Sequence, residues 1–381
     1  MLYAPSEEQS LLLENLRKYL DAELEPLFRA HGEGFIPREK MSAWMQMLAQ
    51  FGLINAPLEE RFGGQGMDWL THLMIFEEVA YTSLDVAIPG MINAIGAELL
   101  AQQASKEVQE RYLPGLLWGE KFIAIGISEP DVGSDVAAVK TRAVRDGDHW
   151  VINGEKTWIT SGEYSDVFIC TCRTGESELT HILIDREQHG YEVTEIPKMA
   201  LNGQSTAQIF MTDVRVPVDY TLGKVGAALR NTMKLFELAR CHMAIWGVGV
   251  GRRAMDEAIN YSQNRVQHGK VIAGHQLVAE KIATMATKLD AARLLAHRAI
   301  SMIQDGVRAD KECAMAKWYG TEIAIEATRN ALQIHGGNGV TKEFIVERLV
   351  REAIICPIPD GTTEIQKLLI ARSLTGIDAF K

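Results

Sequence analysis

The sequence predicts a mainly α-helical protein with a β domain in its middle. Apolar residues recur at helical spacing in the first and last thirds of the chain, and at a spacing of two in the middle third. A chain of 381 residues also exceeds what one hydrophobic core usually serves. The predicted domains are an N-terminal helical domain at 1–118, a β-barrel or β-sandwich domain at 119–226, and a C-terminal helical bundle at 227–381.

The N-terminal third begins with a helix-start signal. Ser6-x-x-Gln9 has the pattern of a capping box, in which each side chain bonds the other residue's main chain. One apolar helix face follows, formed by Leu12, Leu13, Leu16, Tyr19 and Leu20. The segments 41–51 and 69–81 show the same spacing, with the break "FGGQG" between them. We therefore expect several helices before residue 118.

The middle third is composed of short segments rich in β-branched and aromatic residues, separated by Gly, Asn or Asp. These segments are "HWVINGEKTWIT", "DVFICTC", "THILIDRE", "GYEVTEI" and "AQIFMTDVRVP". The pair Asn153-Gly154 between two apolar runs predicts a β-hairpin. Cys170 and Cys172 share one face of a strand, and without a second Cys or His pair nearby they are interpreted as core thiols rather than metal ligands.

The last third predicts four long helices joined by short links, which together indicate a helical bundle. Their expected bounds are 229–264, 275–305, 310–335 and 363–374. Gly336 and Gly337 supply a stop signal after the third helix.

The composition excludes several classes of protein. A formal net charge of −11 argues against nucleic-acid binding, which normally needs a basic face. The N-terminus has no cationic targeting segment, and the weakly polar run at 243–251 is too short to span a bilayer. Five cysteines, an odd number, favour reduced thiols in the cytoplasm. Neither a Rossmann glycine motif, a P-loop, G-x-S-x-G nor H-E-x-x-H is present, and no metal site is predicted.

One acidic residue has an unusual setting, in the segment "CPIPDGTTEIQ". Asp360 follows four uncharged residues and precedes Thr363-x-x-Gln366, which has the pattern of a second capping box. Burial would raise the pKa of this carboxyl group, whereas the N-terminus of a helix would lower it. A carboxylate under both influences suits proton abstraction, although an ordinary turn aspartate is the commoner role for such a residue.

Four further motifs are weak when each is taken alone. "PDVGSD" is a glycine turn that could hold an anion or the polar edge of a ring, or be a plain β-turn. "WIT" sets Trp158 and Thr160 on one side of a strand, where a core tryptophan is the simpler interpretation. Arg265 in "RVQHG" suits helix capping, and "QIHGGNG" suits helix termination, although bare glycine backbone also admits a bulky ligand.

Taken in order along the chain, these motifs resemble those of the acyl-CoA dehydrogenases, a family of FAD-containing proteins. The similarity extends over essentially the full length and rests on "ISEPDVGSD", "VINGEKTWITSG", "TDVRVP", "RVQHGKVIAGHQL", "QIHGGNGV" and "DGTTEIQ". The resemblance implies an N-terminal helical domain, a central β domain and a C-terminal four-helix bundle, in agreement with the periodicity.

The resemblance also implies ligand contacts and partners. It assigns FAD binding to Ile125, Ile127, Ser128, Gly133, Ser134, Trp158, Thr160, Arg265, Gln267, Gln276, Gln333, Gly336, Gly337, Thr362 and Glu364. It assigns acyl-CoA binding to Ser134, Glu237, Arg240 and Gly361. It further implies at least a homodimer and usually a homotetramer, with electron-transferring flavoprotein accepting electrons near Trp158.

By the same resemblance, Asp360 occupies the position of the family's catalytic base, which is usually glutamate. The base would remove the α-proton of a thioester while hydride passes from the β-carbon to FAD, which gives a 2-enoyl-CoA. The chain departs from the family pattern here, since aspartate is one methylene shorter and an aromatic residue is replaced by Pro359. Other departures are His268 and Asn202, and Ala239 offers no substitute base.

The aspartate favours one branch of the family as a hypothesis. Cyclohexanecarboxyl-CoA dehydrogenases carry an aspartate base, so an α-branched or cyclic acyl-CoA is the predicted substrate. Nitroalkane oxidases share the fold, the FAD and an aspartate base, and they form the first alternative. A catalytically idle flavoprotein that acts as an assembly partner is the second alternative, which the retained acid disfavours.

Overall fold

The computed structural model describes residues 5–380, which form two compact units. One unit comprises the chain up to Glu25, the segment Leu73–Leu84 and the chain from Glu237 onward. The other comprises Pro26–His72 and Asp85–Phe236. The predicted fold class is confirmed, because helices occupy both ends of the chain and the strands of its one large sheet lie in the middle third. The exact domain bounds 1–118, 119–226 and 227–381 remain a proposal.

Six α-helices precede the sheet. They are α1 Glu7–Tyr19, α2 Glu25–His31, α3 Arg38–Ala49, α4 Trp69–Thr82, α5 Leu84–Gln103 and α6 Lys106–Leu117. A π-helical segment, Leu20–Leu24, lies between α1 and α2. The predicted capping box at Ser6 and Gln9 is confirmed, with both of its hydrogen bonds present. The helices predicted at 41–51 and 69–81 correspond to α3 and α4.

Helix α5 is a longer apolar segment than the run at 243–251 that the sequence singled out. Its length and mean hydropathy alone would permit it to cross a membrane. However, 89% of its apolar window is buried inside the structure, so these side chains pack within the fold.

The central strands form one sheet of eight strands. Their bounds are β1 Ile123–Gly126, β2 Arg142–Asp146, β3 His149–Thr160, β4 Val167–Arg173, β5 Leu179–Asp185, β6 Glu192–Glu195, β7 Thr206–Pro217 and β8 Thr221–Leu222, with the short helix α7 Arg186–His189 after β5. The order is β6-β7-β3-β2-β4-β5-β8, and β1 pairs in parallel with β4. The face of β4 that carries Cys170 and Cys172 packs into the apolar core of this sheet.

The hairpin predicted at Asn153-Gly154 is wrong. Strand β3 runs straight through this pair, and its pairing with β7 shifts register between Ile152 and Gly154, which is a β-bulge. Asn153 and Asp213 on β7 exchange two hydrogen bonds at the bulge, of 2.9 and 3.0 Å. Glycine is required at 154 because its φ is +145° and a Cβ there would lie 2.8 Å from the Cα of Thr141.

The last third contains the predicted helices and one short hairpin. Their bounds are α8 Ala228–Asn264, β9 Val266–Gln267, β10 Lys270–Val271, α9 Gln276–Gln304, α10 Asp310–His335, α11 Val346–Ile355 and α12 Thr363–Thr375. Helices α9, α11 and α12 all pack against α10. Helix α8 approaches α10 closely at two glycines, since a Cβ on Gly247 would lie 2.4 Å from the carbonyl oxygen of Gly320.

The interpretation of Cys170 and Cys172 as core thiols is confirmed. All five cysteines are buried and unbridged. Among residues 5–380 no group of three or more His, Cys, Asp or Glu side chains could hold a metal ion.

Candidate active site

Asp360 lies in the tight connection between α11 and α12. Its φ is +55°, a left-handed conformation that aspartate adopts more readily than most residues. Gly361 follows with a φ of +92°. Two successive residues at positive φ turn the chain sharply, so the Asp360 side chain is fixed by an unusual main-chain shape.

Three side chains from three helices hold this turn by its carbonyl oxygens. Lys317 on α10 donates from Nζ to the carbonyls of Pro357 at 2.6 Å and Gly361 at 2.5 Å. Gln366 on α12 donates to the carbonyl of Gly361 at 2.7 Å and, more weakly, to that of Asp360 at 3.3 Å. Arg240 on α8 reaches the same Asp360 carbonyl at 3.4 Å. The turn is therefore held by donors from three separate helices.

The capping box predicted at Thr363 and Gln366 is wrong, although the helix it predicted is present. Thr362 is the N-cap residue and makes no side-chain capping bond. Thr363 instead donates to Glu322 at 2.7 Å, and Gln366 bonds the turn that precedes the helix. The residue that appeared to cap α12 thus supports the Asp360 turn.

The environment of Asp360 perturbs its titration. Burial raises the pKa of the Asp360 carboxyl group above its ordinary value, while the charges of Lys317 and Arg240 act to lower it. The main-chain N–H of Asp360 donates to no main-chain carbonyl within residues 5–380. The turn therefore presents a carboxyl group of raised pKa together with a free N–H donor.

The two residues predicted to bind acyl-CoA on α8 have different settings. Arg240 is buried, and its guanidinium points to the Asp360 carbonyl. Glu237 is partly buried, and burial together with a hydrogen bond and repulsion from Asp310 raises its pKa to about 7. Asp310 is in turn paired with Arg308. An arrangement of this kind can present Glu237 either as a hydrogen-bond donor or as an acceptor near neutral pH.

The flavin contacts predicted on β1 and the turn after it lie in the unit that contains the sheet, whereas the Asp360 turn lies in the unit that contains the chain from Glu237 onward. Ile125, Ile127 and Ser128 are partly exposed, and Gly133 and Ser134 are exposed. The turn is closed by two main-chain bonds between Glu129 and Val132, of 2.9 and 3.0 Å. The structure thus places these predicted residues together along one strand and its turn.

A buried ion pair fixes this turn against β3. The ammonium group of Lys156 lies 2.8 Å from Glu129, and its side chain is 0% exposed. Lys156 also donates to the carbonyl of Ile127 at 3.1 Å, and Thr157 donates to that of Ser128 at 3.0 Å. Burial alone would raise the pKa of Glu129, but the adjacent Lys156 charge and the hydrogen bonds outweigh it and the pKa is lowered.

At the end of β3, Trp158 is presented to solvent. Its side chain is 63% exposed while its neighbour Ile159 is buried, and its φ is +61°. Thr160 is partly exposed, and the buried hydroxyl of Ser161 has no hydrogen-bond partner within residues 5–380. An aromatic ring held outward by strained backbone, beside hydroxyl groups, suits contact with a flat heteroaromatic ring such as the isoalloxazine of FAD.

A further group of predicted FAD contacts lies in the hairpin after α8 and at the end of α10. Arg265 and Gln267 are exposed on the β9 hairpin, and the backbone at Gly336 and Gly337 is open, since a Cβ at either glycine would meet no atom within 4 Å. Gln267 and Gln333 line one cavity of about 290 Å³, with apolar side chains such as Leu277 around it. An exposed guanidinium with open glycine backbone and amide side chains suits a pyrophosphate and a nucleoside, so these residues fit the distal part of FAD.

Three other predicted contacts lie outside this cavity. Gln276 is exposed as the first residue of α9, and Thr362 and Glu364 begin α12 next to the Asp360 turn. Their roles toward FAD stay predictions.

The sequence did not single out Lys317, Gln366 or Lys156 as supports of the site. One signal could have found Lys317, because a lysine in the apolar stripe that contains Cys313, Gly320 and Ala324 on α10 is expected to be buried. Nothing in the sequence distinguishes the role of Gln366 from an ordinary capping role.

Comparisons with known proteins agree with this arrangement. Three domain families match in order: "Acyl-CoA dehydrogenase, N-terminal domain" at residues 6–120, "middle domain" at 124–214 and "C-terminal domain" at 229–375. The chain is 34% identical to caffeyl-CoA reductase-Etf complex subunit CarC of Acetobacterium woodii, over 97% of this chain and 98% of that protein. It is 30% identical to cyclohexane-1-carbonyl-CoA dehydrogenase of Syntrophus aciditrophicus, over 97% of each.

A solved structure extends the likeness to a bound cofactor. Glutaryl-CoA dehydrogenase from Mycobacterium smegmatis in complex with FADH2 superposes with a TM-score of 0.91 at 25% identity, covering 99% of this chain and 97% of that one. The protein thus belongs to the acyl-CoA dehydrogenase family of FAD-dependent oxidoreductases.

Proposed function

We propose that the protein catalyses α,β-dehydrogenation of an α-branched or cyclic acyl-CoA thioester, with Asp360 as the base. The observation that carries the proposal is the Asp360 turn, in which side chains from three helices bond the main-chain carbonyls around an aspartate at positive φ. A second point in its favour is the similarity to a cyclohexane-1-carbonyl-CoA dehydrogenase. The shorter side chain suits a substrate whose α-carbon is held closer to the main chain.

The dehydrogenation needs two acceptors, one for the α-proton and one for the hydride of the β-carbon. The Asp360 carboxylate accepts the α-proton, so the α C–H electron pair becomes the new C=C bond. FAD held by residues such as Trp158 and Thr160 would supply the acceptor for the hydride of the β-carbon. The free N–H of Asp360 is a donor of the kind that stabilises the charge developing on the thioester oxygen.

Other side chains would bind and orient the ligands. Glu237 would bond the polar arm of CoA, and Ser134 and Gly361 would contact the substrate. Trp158 and Thr160 would hold the flavin ring, while Arg265, Gln267 and Gln333 would hold the pyrophosphate and adenosine. Arg240 would act on substrate binding chiefly through the Asp360 main chain, because its guanidinium is buried against that turn.

The assembly and the electron acceptor follow from similarity. One relative is a subunit of a complex that contains Etf, which favours electron-transferring flavoprotein as the electron acceptor here. A homotetramer and a cytoplasmic location are part of the same proposal. That relative is named as a reductase, so the reverse reaction, reduction of an enoyl-CoA, is a second candidate direction for the same site.

Substitution of the base gives the most direct test. Asp360→Asn removes the proton acceptor, so we expect anaerobic flavin reduction by cyclohexanecarboxyl-CoA to fall by about 10³-fold while FAD stays bound. Asp360→Glu restores a carboxylate at the length usual in the family, and we expect it to favour straight-chain acyl-CoA. Stopped-flow measurement of flavin bleaching checks both variants.

The same assay separates the alternatives. Faster turnover of butyryl-CoA or octanoyl-CoA than of cyclohexanecarboxyl-CoA in the wild type would refute the substrate assignment. Hydrogen peroxide formed from nitroalkanes would instead support the oxidase alternative. A flavin that no acyl-CoA reduces would support the idle flavoprotein.

A further inference from the structure

Lys317 is buried beneath the Asp360 turn without a contacting acid. Its side chain is fully buried on α10, and Nζ donates to the carbonyl oxygens of Pro357 and Gly361, at 2.6 and 2.5 Å. These two residues lie on either side of Asp360. No carboxylate among residues 5–380 forms an ion pair with Lys317. Main-chain carbonyls within that range are therefore its only hydrogen-bond partners.

A neutral side chain could make the same two hydrogen bonds at lower cost. Burying an ammonium group away from a contacting counter-charge is unfavourable, and burial lowers the pKa of Lys317 to about 8. Glutamine offers two N–H donors without that penalty. Hydrogen bonding alone therefore does not explain why a positively charged residue occupies this position.

The charges around the turn supply that reason. The groups that act on Lys317 are Cys356 at the end of α11, Asp360 in the turn, Arg240 on α8 and Glu322 on α10 itself. The groups that act on Asp360 are Lys317 and Arg240. Arg240 is buried as well and is shared with Glu237 and Asp310. Two cations therefore act on the turn, and Lys317 is the one that bonds the main chain on both sides of Asp360, whereas Arg240 bonds only the Asp360 carbonyl.

We propose that Lys317 is a positioning residue for the base: it fixes the main chain on both sides of Asp360, and its charge favours the ionised carboxylate within a partly buried setting. The inference rests on the proposed function only in that Asp360 is taken as the base. It concerns no contact between Lys317 and substrate or cofactor.

Direct titration of the Asp360 carboxyl group tests the charge. The infrared band of the protonated acid, assigned by its loss in Asp360→Asn, is followed against pH in the FAD-loaded protein. We expect the midpoint to rise by about one pH unit in Lys317→Met and in Lys317→Gln, because each loses the positive charge. Lys317→Arg keeps the charge and is expected to stay near the wild-type midpoint.

The matched control is Lys288→Met on α9, which removes an exposed ammonium paired with Glu326 at 2.7 Å. We expect no shift of the Asp360 midpoint in this variant. Should Lys317→Met fail to fold, Lys317→Gln still tests the charge, because it retains donors for the two carbonyls. An unchanged midpoint in Lys317→Gln would overturn the proposal.

Flavin reduction by cyclohexanecarboxyl-CoA adds a kinetic readout. In Lys317→Gln we expect the pH profile to move to higher pH with its high-pH plateau retained, so the rate at pH values below both midpoints falls about tenfold. A uniform loss at every pH would indicate a purely structural role and overturn the proposal. Failure of the proposed function has a different signature: wild-type Asp360 titrates and responds to Lys317 as expected, yet no acyl-CoA reduces the flavin.

Discussion

Two buried lysines, one in each unit, each support one group of predicted site residues, and they do so differently. Lys156 in the sheet contacts the carboxylate of Glu129 at 2.8 Å and bonds one main-chain carbonyl. Lys317 in the helical unit bonds two main-chain carbonyls and, within residues 5–380, no carboxylate. Both side chains are fully buried, so the difference lies in where each positive charge is balanced.

The contrast shows how a buried charge can be either structural or functional. The charge of Lys156 is neutralised in contact, and its main consequence is a rigid turn that presents Ser128 and its neighbours. The charge of Lys317 is balanced across space by groups that include Asp360. Substitution of Lys156 should therefore mainly lower the stability of the fold, whereas substitution of Lys317 should mainly shift the titration of the Asp360 carboxyl group.

The largest expected effect on stability comes from breaking the ion pair between Lys156 and Glu129. Lys156→Met leaves the Glu129 carboxylate buried without its partner, so we expect the free energy of unfolding to fall by about 3–5 kcal/mol. Urea denaturation of the holoprotein measures this change. The double variant Lys156→Met with Glu129→Gln removes both charges and should recover part of the loss. If Lys156→Met alone were as stable as the wild type, Lys156 would have no structural role of this kind.

The second expected effect is a dependence of stability on pH that arises from the titration of Lys317. Its pKa is about 8 in the folded protein against an ordinary value of 10.5. Between these values the unfolded chain holds a proton that the folded chain has released, so this group makes the free energy of unfolding rise with pH. The slope is at most about 1.4 kcal/mol per pH unit.

Urea denaturation between pH 7 and 10 measures this contribution. The difference in unfolding free energy, wild type minus Lys317→Met, should grow by about 1–2 kcal/mol from pH 8 to 10. Parallel curves for the two proteins would show that Lys317 carries its proton throughout and would contradict its low pKa.

The pattern of the sequence predicts the architecture well because periodicity depends on neighbours along one element. The spacing predicted α10 at its observed bounds, Asp310–His335, and it also located α8, α9 and α12 closely. It failed at Asn153-Gly154, where the same residue pair serves a hairpin or a bulge. The choice between a hairpin and a bulge depends on a cross-strand partner, Asp213, which is sixty residues away.

The site was predictable only in part for the same reason. Asp360 was found from its local setting and its family resemblance. Lys317 acts on it from another helix, 44 residues before Gly361, and tertiary packing alone brings its donor to the turn. Pairing at such a separation leaves no local pattern in a single sequence. Gln366 is close to the turn in sequence, but its spacing from Thr363 fits an ordinary capping box equally well.

The smallest expected effect concerns backbone strain, which occurs at one predicted site residue in each unit. Trp158 and Asp360 each have a positive φ, at +61° and +55°, but tryptophan tolerates this conformation less well than aspartate. At a left-handed position glycine is favoured over alanine, the reverse of the usual order. We therefore expect Trp158→Gly to exceed Trp158→Ala in unfolding free energy by about 1 kcal/mol.

Because Trp158 is largely exposed, both variants lose little buried surface, and the comparison between them isolates the backbone. Both also lose the ring, so FAD should dissociate from them more readily and to the same extent, as followed by flavin fluorescence. If Trp158→Ala proved the more stable, the left-handed conformation would be a consequence of the tryptophan side chain. If Trp158→Gly is the more stable, the strand end imposes the conformation on whatever residue stands there, as the three helices impose theirs on Asp360.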